Sequence, residues 1–488
     1  MSLLGIDVGT TGCKVIAFND HGRPIARAAA EYQLEFPRPG WIELDPNVVW
    51  QRLAKSIRAV AARTRRDPIK AIAISAQGEA FLPVDRKGDP LSNSIVTFDS
   101  RASRNVEWWE RRMGRMKIFR TTGMPLSAMG TLPKLQWLLK NKKSARSAKY
   151  FLCYHDFVVM KLGLQPVIDY SLAARTMMFD VRSLAWSDPI LAALRVDREQ
   201  LAQPVASGSV IGRISSAAAQ KLGLPRDAVV VAGGHDQPCA ALGAGAMRSG
   251  EAAYSVGTVE CITPVFDHPV SSALMMRNNL CSYPHVVPGK FVSLAFNFTG
   301  GSLLKWYRDT FGGTYDSLVQ ASAKKPTKLL VLPHFTMTGT PLMEVRSKGV
   351  IAGLQLSTSK GEVTRSLLEG VTYEMRHNVE LLERSGIAVK RFRAVGGGSK
   401  SRIWMQIKAD IMNRPIEVME VTEAGCLGAA MLAGVATRTY GSVDEATRTA
   451  VRSARVYEPN SRSSRYYAER YELYSRLYPS LAPLLHVM

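Results

Sequence analysis

The stretch Gly233-Gly234-His235-Asp236-Gln237, near the middle of the chain, carries residue types that can do chemistry. An aspartate at the start of a helix can accept a proton from a hydroxyl. Two glycines before it let the backbone turn tightly and leave room for a ligand. The plain alternative for Asp236 is a helix N-cap. Two Gly-Thr turns lie on either side, Gly9-Thr10-Thr11-Gly12 and Gly257-Thr258. They offer backbone N–H groups and hydroxyls, which a phosphate chain requires. Either turn alone reads as an ordinary hairpin; two in similar contexts call for more. Asp7 precedes the first turn, where a carboxylate can hold Mg2+ directly or through water. Lys14 lies on the return strand, with a solvated edge lysine as its plain reading. Gly396-Gly397-Gly398-Ser399 would let a flat base or ribose approach the backbone, and three glycines are costly for a mere turn. The set would place phosphates opposite a carboxylate.

These residues need a frame. Residues 3–8, 14–18 and 24–30 read as an antiparallel meander. Asp45-Pro46 has the form of a cap followed by proline at the first helical position. Val49, Leu53, Ile57 and Val60 then recur at helical spacing through residue 66. Residues 69–75 form the next strand, and 228–232 read as a buried strand leading into Gly233. Residues 169–181 read as a loop-rich patch and 189–201 as a helix. Residues 252–263 repeat the opening plan of strand, Gly-Thr turn, strand. A helix over 362–384 stops at Ser385-Gly386, followed by a strand at 391–395, the glycine turn, a helix through 413 and a strand at 416–421. In the small-residue helix 425–436, Gly425, Gly428, Ala429 and Ala430 either wall the same cleft or serve close packing. Tyr467, Tyr471, Tyr474 and Tyr478 mark one face of a packed C-terminal helix.

A chain of 488 residues is too long for one core, so two domains are expected, over 1–247 and 248–488. With 46% hydrophobic and 21% charged residues, the composition is that of a soluble globular protein. No apolar run approaches the roughly 20 residues of a membrane span, and Asp7 interrupts the first apolar stretch, which argues against a secretory signal. Cys13, Cys153, Cys239, Cys261, Cys281 and Cys426 form no Cys-x-x-Cys pair; reduced thiols in a cytoplasmic protein are expected, without structural zinc. The net charge of +22 is spread along helix-like segments, with no recognised nucleic-acid module. Neither a nucleic-acid nor a membrane partner is expected; a modest attraction for anionic nucleotides is the cheaper reading.

The chain resembles the FGGY carbohydrate kinases, of the actin/hexokinase/Hsp70-like fold. The resemblance rests on Gly5-Ile6-Asp7-Val8-Gly9-Thr10-Thr11, Asp169-Tyr170-Ser171, Gly233-Gly234-His235-Asp236-Gln237, Ser255-Val256-Gly257-Thr258, Leu368-Glu369-Gly370-Val371, and Gly396-Gly397-Gly398-Ser399 with Trp404, in the family's order. It implies an α/β fold of two ribonuclease-H-like domains around a central cleft. The N-terminal domain would hold the sugar site and first phosphate loop, the C-terminal one the second phosphate loop and adenosine site. The resemblance further implies ATP and Mg2+ as cofactors, with Asp7 at the metal. Gly9, Thr10, Thr11, Lys14, Gly257, Thr258, Gly397, Gly398 and Ser399 would surround ATP. Asp236 would be the base, and Gln77, Gly78, Glu79, Asp99, Arg101 and Gln237 would contact a small sugar or polyol. A homodimer is an open expectation.

Xylulose kinases, the nearest subgroup by overall pattern, have Ser-Gly-Gln-Met-His-Gly where this chain has Ser75-Ala76-Gln77-Gly78-Glu79-Ala80. Glycerol kinases match Gln77 and Glu79 better, but have Arg at Gly78 and Trp at Thr97. Carboxylates and amides hydrogen-bond hydroxyls and repel an acidic sugar, so a neutral ketopentose or sugar alcohol is the expected acceptor. Glu79 and Asp99 could instead be surface salt bridges. D-xylulose kinase in particular is one alternative. A nucleotide-binding switch of the same fold and a basic nucleic-acid binder are two others.

Overall fold

In the computed structural model, which describes residues 1–322 and 324–488, β1 (Ser2–Val8), β2 (Gly12–Phe18) and β3 (Pro24–Glu31) form the antiparallel meander. α1 (Pro46–Arg63) follows, capped by Asp45, which accepts from Asn47 N. β4 (Ile69–Ala76) then pairs parallel with β1. Later come α2 (Tyr170–Arg175), β5 (Val210–Arg213) and β6 (Val229–His235), completing a sheet of order β5-β6-β4-β1-β2-β3. β1, β4 and β6 are buried almost throughout, which is why they read as unbroken Val, Ile and Ala runs rather than alternating ones. α3 (Asp236–Gly243) begins where β6 ends.

The plan recurs in the second half. β7 (Gly250–Val256) and β8 (Glu260–Phe266) form a hairpin, and α4 (Gly301–Phe311) and α5 (Lys360–Arg384) follow. β9 (Val389–Val395) pairs parallel with β7. After α6 (Arg402–Met412), β10 (Ile416–Met419) pairs parallel with β9. Then come α7 (Ala424–Ala436), the edge strand β11 (Ser453–Tyr457) and α8 (Ser461–Leu485). The repeat suggested by the two Gly-Thr turns is thus one of topology: a hairpin whose first strand accepts parallel neighbours. Tyr467, Tyr471 and Tyr474 of α8 pack against Tyr373 of α5, in the core of this half.

Four local readings change. Residues 169–181 are not mainly loop: Asp169 accepts from Ser171 N at 2.8 Å and Leu172 N at 3.1 Å, and so caps α2. The helix expected over 189–201 is Asp188–Leu194, ended by Arg195 at φ 60°; a short 3-10 turn, Arg198–Gln200, follows. Gly233 and Gly234 do not open space for a ligand. A Cβ on Gly233 would overlap the Ile74 carbonyl and one on Gly234 would overlap Val286, so these glycines let β6 bulge against β4 and let a later segment close over it. The small residues of α7 serve packing: the helix lies on β1 and β4 and against α3, away from the sheet that precedes it in sequence. A Cβ on Gly428 would overlap the Cys239 carbonyl, and one on Gly243 the Ala424 carbonyl. Among the described residues, all six cysteines are free and buried, and no helix is long and apolar enough to cross a membrane.

Candidate active site

Asp7 lies near the end of β1, where its half-buried carboxylate accepts from Ser75 Oγ on β4 at 2.7 Å. Burial pushes its pKa up, against the Ser75 bond and the Lys14 charge. Lys14 stands opposite Asp7 in the β1/β2 register and reaches Glu423, at the start of α7, at 2.5 Å. Thr10 Oγ1 donates to Gln77 Oε1 at 2.9 Å, and Gln77 Nε2 donates to the Gly9 carbonyl at 3.1 Å. Tyr32 donates to the same carbonyl at 2.6 Å. Both ends of the Gln77 amide thus brace the first turn. Its place is beneath the first turn, because parallel pairing sets Ala76 beside Val8.

The second turn is tied to α4. Thr258 O accepts from Gly300 N at 3.0 Å and from Ser302 N at 3.2 Å, and Gly257 O accepts from Gly301 N at 2.8 Å. The Thr258 side chain is exposed. Gly396 has φ 96°, and a Cβ there would stand 2.6 Å from Val256 O, so only glycine fits. Gly397 has nothing within 4 Å of its Cβ position and leaves an open face. Ser399 is buried, and its hydroxyl donates to the Gly396 carbonyl at 2.7 Å, so it braces the turn from inside. Behind the hairpin a wholly buried pair, Glu260 and Lys408 at 2.8 Å, ties β8 to α6, with Tyr254 also bonded to Glu260.

Asp236 is the first residue of α3 and His235 holds the N-cap position, so Asp236 is not the helix N-cap. Burial first, then the Asp7 and Glu79 carboxylates, push its carboxyl up to about 7, against the Gln237 N–H and the Arg175 guanidinium. Gln237 beside it is half-buried. Glu79 is not at the surface: it is 4% exposed, pairs with the buried Arg175 and accepts from Thr97 Oγ1 at 3.2 Å. Its φ of 60° is unusual for a non-glycine residue and marks a place where surrounding structure dictates the backbone. A cavity of about 90 Å³ lies beside Glu79 and Arg175, walled also by Met124, Met177, Cys281 and Phe296.

Asp99 and Arg101 lie off that cavity. Arg101 Nη2 stands 2.7 Å from Asp99 Oδ2, and its Nη1 stands 2.8 Å from Glu43. Asp99 also accepts from Ile42 N at 2.6 Å. The guanidinium sits 4.0 Å from the Trp41 ring and 5.1 Å from the Trp137 ring. The salt bridge weighed for Asp99 therefore forms, but in the interior. A Cβ at Gly78 would stand 2.8 Å from His235 Nε2, so Gly78 makes room for an imidazole.

The family model for the N-terminal domain of the FGGY family of carbohydrate kinases matches residues 2–243, and that for its C-terminal domain matches residues 252–437. The chain belongs to the FGGY family of carbohydrate kinases. A xylulose kinase of Staphylococcus epidermidis is 27% identical over 485 residues, 98% of this chain and 96% of its own. A glycerol kinase of Agathobacter rectalis is 31% identical over 478 residues, 94% of each chain. The crystal structure of a xylulose kinase from Rhodospirillum rubrum matches with a TM-score of 0.90 and 25% identity over 100% of both chains. This FGGY kinase therefore has the two-domain actin-like fold, and its activity is ATP-dependent phosphorylation of an alcohol group on a sugar.

Among the described residues, no group of three or more His, Cys, Asp or Glu could hold a metal ion unaided. For an FGGY kinase this donor set still fits Mg2+, which keeps several waters and shares the substrate's phosphates, so a single half-buried carboxylate such as Asp7 suffices from the protein. Arg175, His235, Tyr283 and Glu423 escaped sequence reasoning. Arg175 closes the helix that Asp169 starts, and Glu423 directly precedes the small-residue helix; those adjacencies were the available signals.

Proposed function

We propose that this kinase phosphorylates one hydroxyl of a neutral ketopentose or sugar alcohol, with Asp236 accepting the hydroxyl proton. The observation that carries the reading is Asp236 itself: a carboxylate just inside the start of α3 and not at its N-cap, with a pKa pushed up to about 7. A general base is most effective when its pKa lies near the working pH. Gly9, Thr10, Thr11 and Lys14 face the phosphates from the N-terminal half, and Gly257 and Thr258 from the C-terminal half. Gly397, with its open face, admits the base or ribose; at Gly398 a Cβ would meet Val256 and Trp404, so that glycine, expected beside ATP, serves close packing instead. Asp7 would hold Mg2+, which when bound neutralises charge on the transferring phosphoryl group.

Glu79, beside the Arg175 guanidinium and held by Thr97 Oγ1, offers an acceptor to sugar hydroxyls, with Gln237 beside the base as a further candidate contact. Gln77 acts through the first turn, and Asp99 and Arg101 through the packing beneath Trp41. D-xylulose phosphorylation is the second reading, favoured by the relative from Staphylococcus epidermidis. An ADP-release screen over ketoses, aldoses, polyols and sugar acids tests both. Release that depends on a neutral ketose or polyol supports the proposal. Release only with a sugar acid, or ATP hydrolysis indifferent to any sugar, overturns it.

A further inference from the structure

We propose that His235 and Tyr283 are positioning residues for Asp236: the phenol fixes the imidazole tautomer, and the imidazole N–H fixes the carboxylate. This rests on Asp236 being the base. His235 Nε2 stands 3.1 Å from Asp236 Oδ1, and its Nδ1 lies 2.9 Å from the Tyr283 hydroxyl. His235 is 3% exposed and Tyr283 is fully buried, so neither nitrogen has bulk water as an alternative partner. A lone pair on Nε2 would point at a carboxylate oxygen, so Nε2 carries the proton. In a neutral imidazole Nδ1 is then the acceptor, and the phenol O–H donates to it. Burial, reinforced by the Arg175 guanidinium, holds the ring well below the usual histidine range and hence neutral.

Further observations fit. Asp236 Oδ1 is buried and makes no hydrogen bond among the described residues, so it is an acceptor left open 3.1 Å from Nε2. The Asp236 side chain as a whole is 30% exposed, so the exposed part of the carboxyl is the Oδ2 side, which stays available to an acceptor hydroxyl. The histidine backbone is itself pinned: His235 N donates to Ser171 Oγ at 2.8 Å, and Ser171 Oγ donates to the capping Asp169 at 2.6 Å. The ring also has its own space, because a Cβ at residue 78 would come within 2.8 Å of Nε2 and 3.0 Å of Cδ2. Tyr283 comes from the C-terminal half of the chain, so the alignment of the base draws on both halves.

The test uses the full chain with ATP and whichever of D-xylulose, glycerol, xylitol or ribitol gives the fastest sugar-dependent ADP release. Tyr283→Phe should lower kcat about tenfold, the equivalent of one hydrogen bond, and leave the KM for ATP within about twofold. His235→Ala should fall further. His235→Gln, whose amide N–H reaches the position of Nε2, should recover most of kcat; His235→Asn, whose shorter amide mimics Nδ1, should not. Gly78→Ala should reproduce the fall in kcat by displacing the ring. A merely structural role would raise both KM values or lower the folded fraction, and would not separate Gln from Asn. Wild-type kcat in Tyr283→Phe and His235→Ala, or equal losses in the Gln and Asn variants, overturns the positioning role. Asp236→Asn is run alongside: wild-type turnover there would remove the base assignment itself, a separate outcome.

Discussion

If Asp236 is the base, turnover should titrate with it. Burial, then Asp7 and Glu79, push its carboxyl up to about 7. A carboxylate accepts a proton only when ionised, so activity is present above that pH and lost as pH falls through it. About half of the base is ionised at pH 7, about a tenth at pH 6 and about a hundredth at pH 5, since each unit is a tenfold change in the ratio. kcat/KM should follow those fractions. Phosphate monoesters titrate at about 6, so the nucleotide could produce a similar limb. Glu79→Gln separates the two. It removes a charge that raises the Asp236 pKa and leaves Arg175 uncompensated beside it; both effects favour the ionised base, and the limb should move to lower pH. A nucleotide limb would stay where it was. The assay is coupled ADP release at saturating ATP and Mg2+ and limiting sugar, from about pH 5 to 9. Activity that is level across that range, or a limb that Glu79→Gln does not move, refutes Asp236 as the titrating base.

Asp7→Ala should raise the Mg2+ concentration needed for half-maximal turnover by about 10–100-fold, as loss of a metal-holding or water-holding partner does; an unchanged Mg2+ titration in the folded variant would sink the metal assignment. The Cβ position of Gly397 meets no neighbour within 4 Å, so the thermal midpoint of Gly397→Val should stay near wild type while the KM for ATP rises about tenfold or more. Unchanged ATP affinity would place the nucleotide elsewhere. Lys408→Met strips the partner from a wholly buried Glu260 and should cost about 3–5 kcal/mol in urea unfolding, while Glu260→Gln with Lys408→Met together should recover part of it. A loss under about 1 kcal/mol in the single variant would mean that the charge finds water.

What was legible in the sequence was local. The Gly-Thr turns, the strand before Gly233 and the helix starting at Asp45 depend on neighbours within a few residues, and they form where the pattern put them. The open face at Gly397 fits the reading of that turn, whereas the sequence left open whether Asp236 was the N-cap of its helix. What failed depended on distant partners. Gln77 and Asp99 are polar residues near the substrate side, but sequence could not say that one amide would close on Gly9 and Thr10, or that Arg101 would fold under two tryptophans. Gly233 and Gly234 were read for their freedom of backbone angle; they are required for close approach, which only the neighbouring strand and Val286 reveal. Arg175 finds Glu79, and Tyr283 finds His235, across separations that no periodicity encodes.

α3 and α7 meet main chain to main chain, at Gly428 against Cys239 and Gly243 against Ala424. Each also begins beside one of the two carboxylates: α3 at Asp236, and α7 at Gly425, whose Cβ position is 3.3 Å from Asp7 Oδ1. Backbones in such contact have no rotamers to change, so the helices can tilt but hardly slide. Any swing between the halves would take this crossing as its fulcrum. Groups within a turn or two of a fulcrum trace short arcs, and groups at the far ends of the sheets trace long ones. Asp236 and Asp7 would then keep their spacing whether the cleft stands open or shut. The leverage falls on the outlying turns that must let nucleotide in and out.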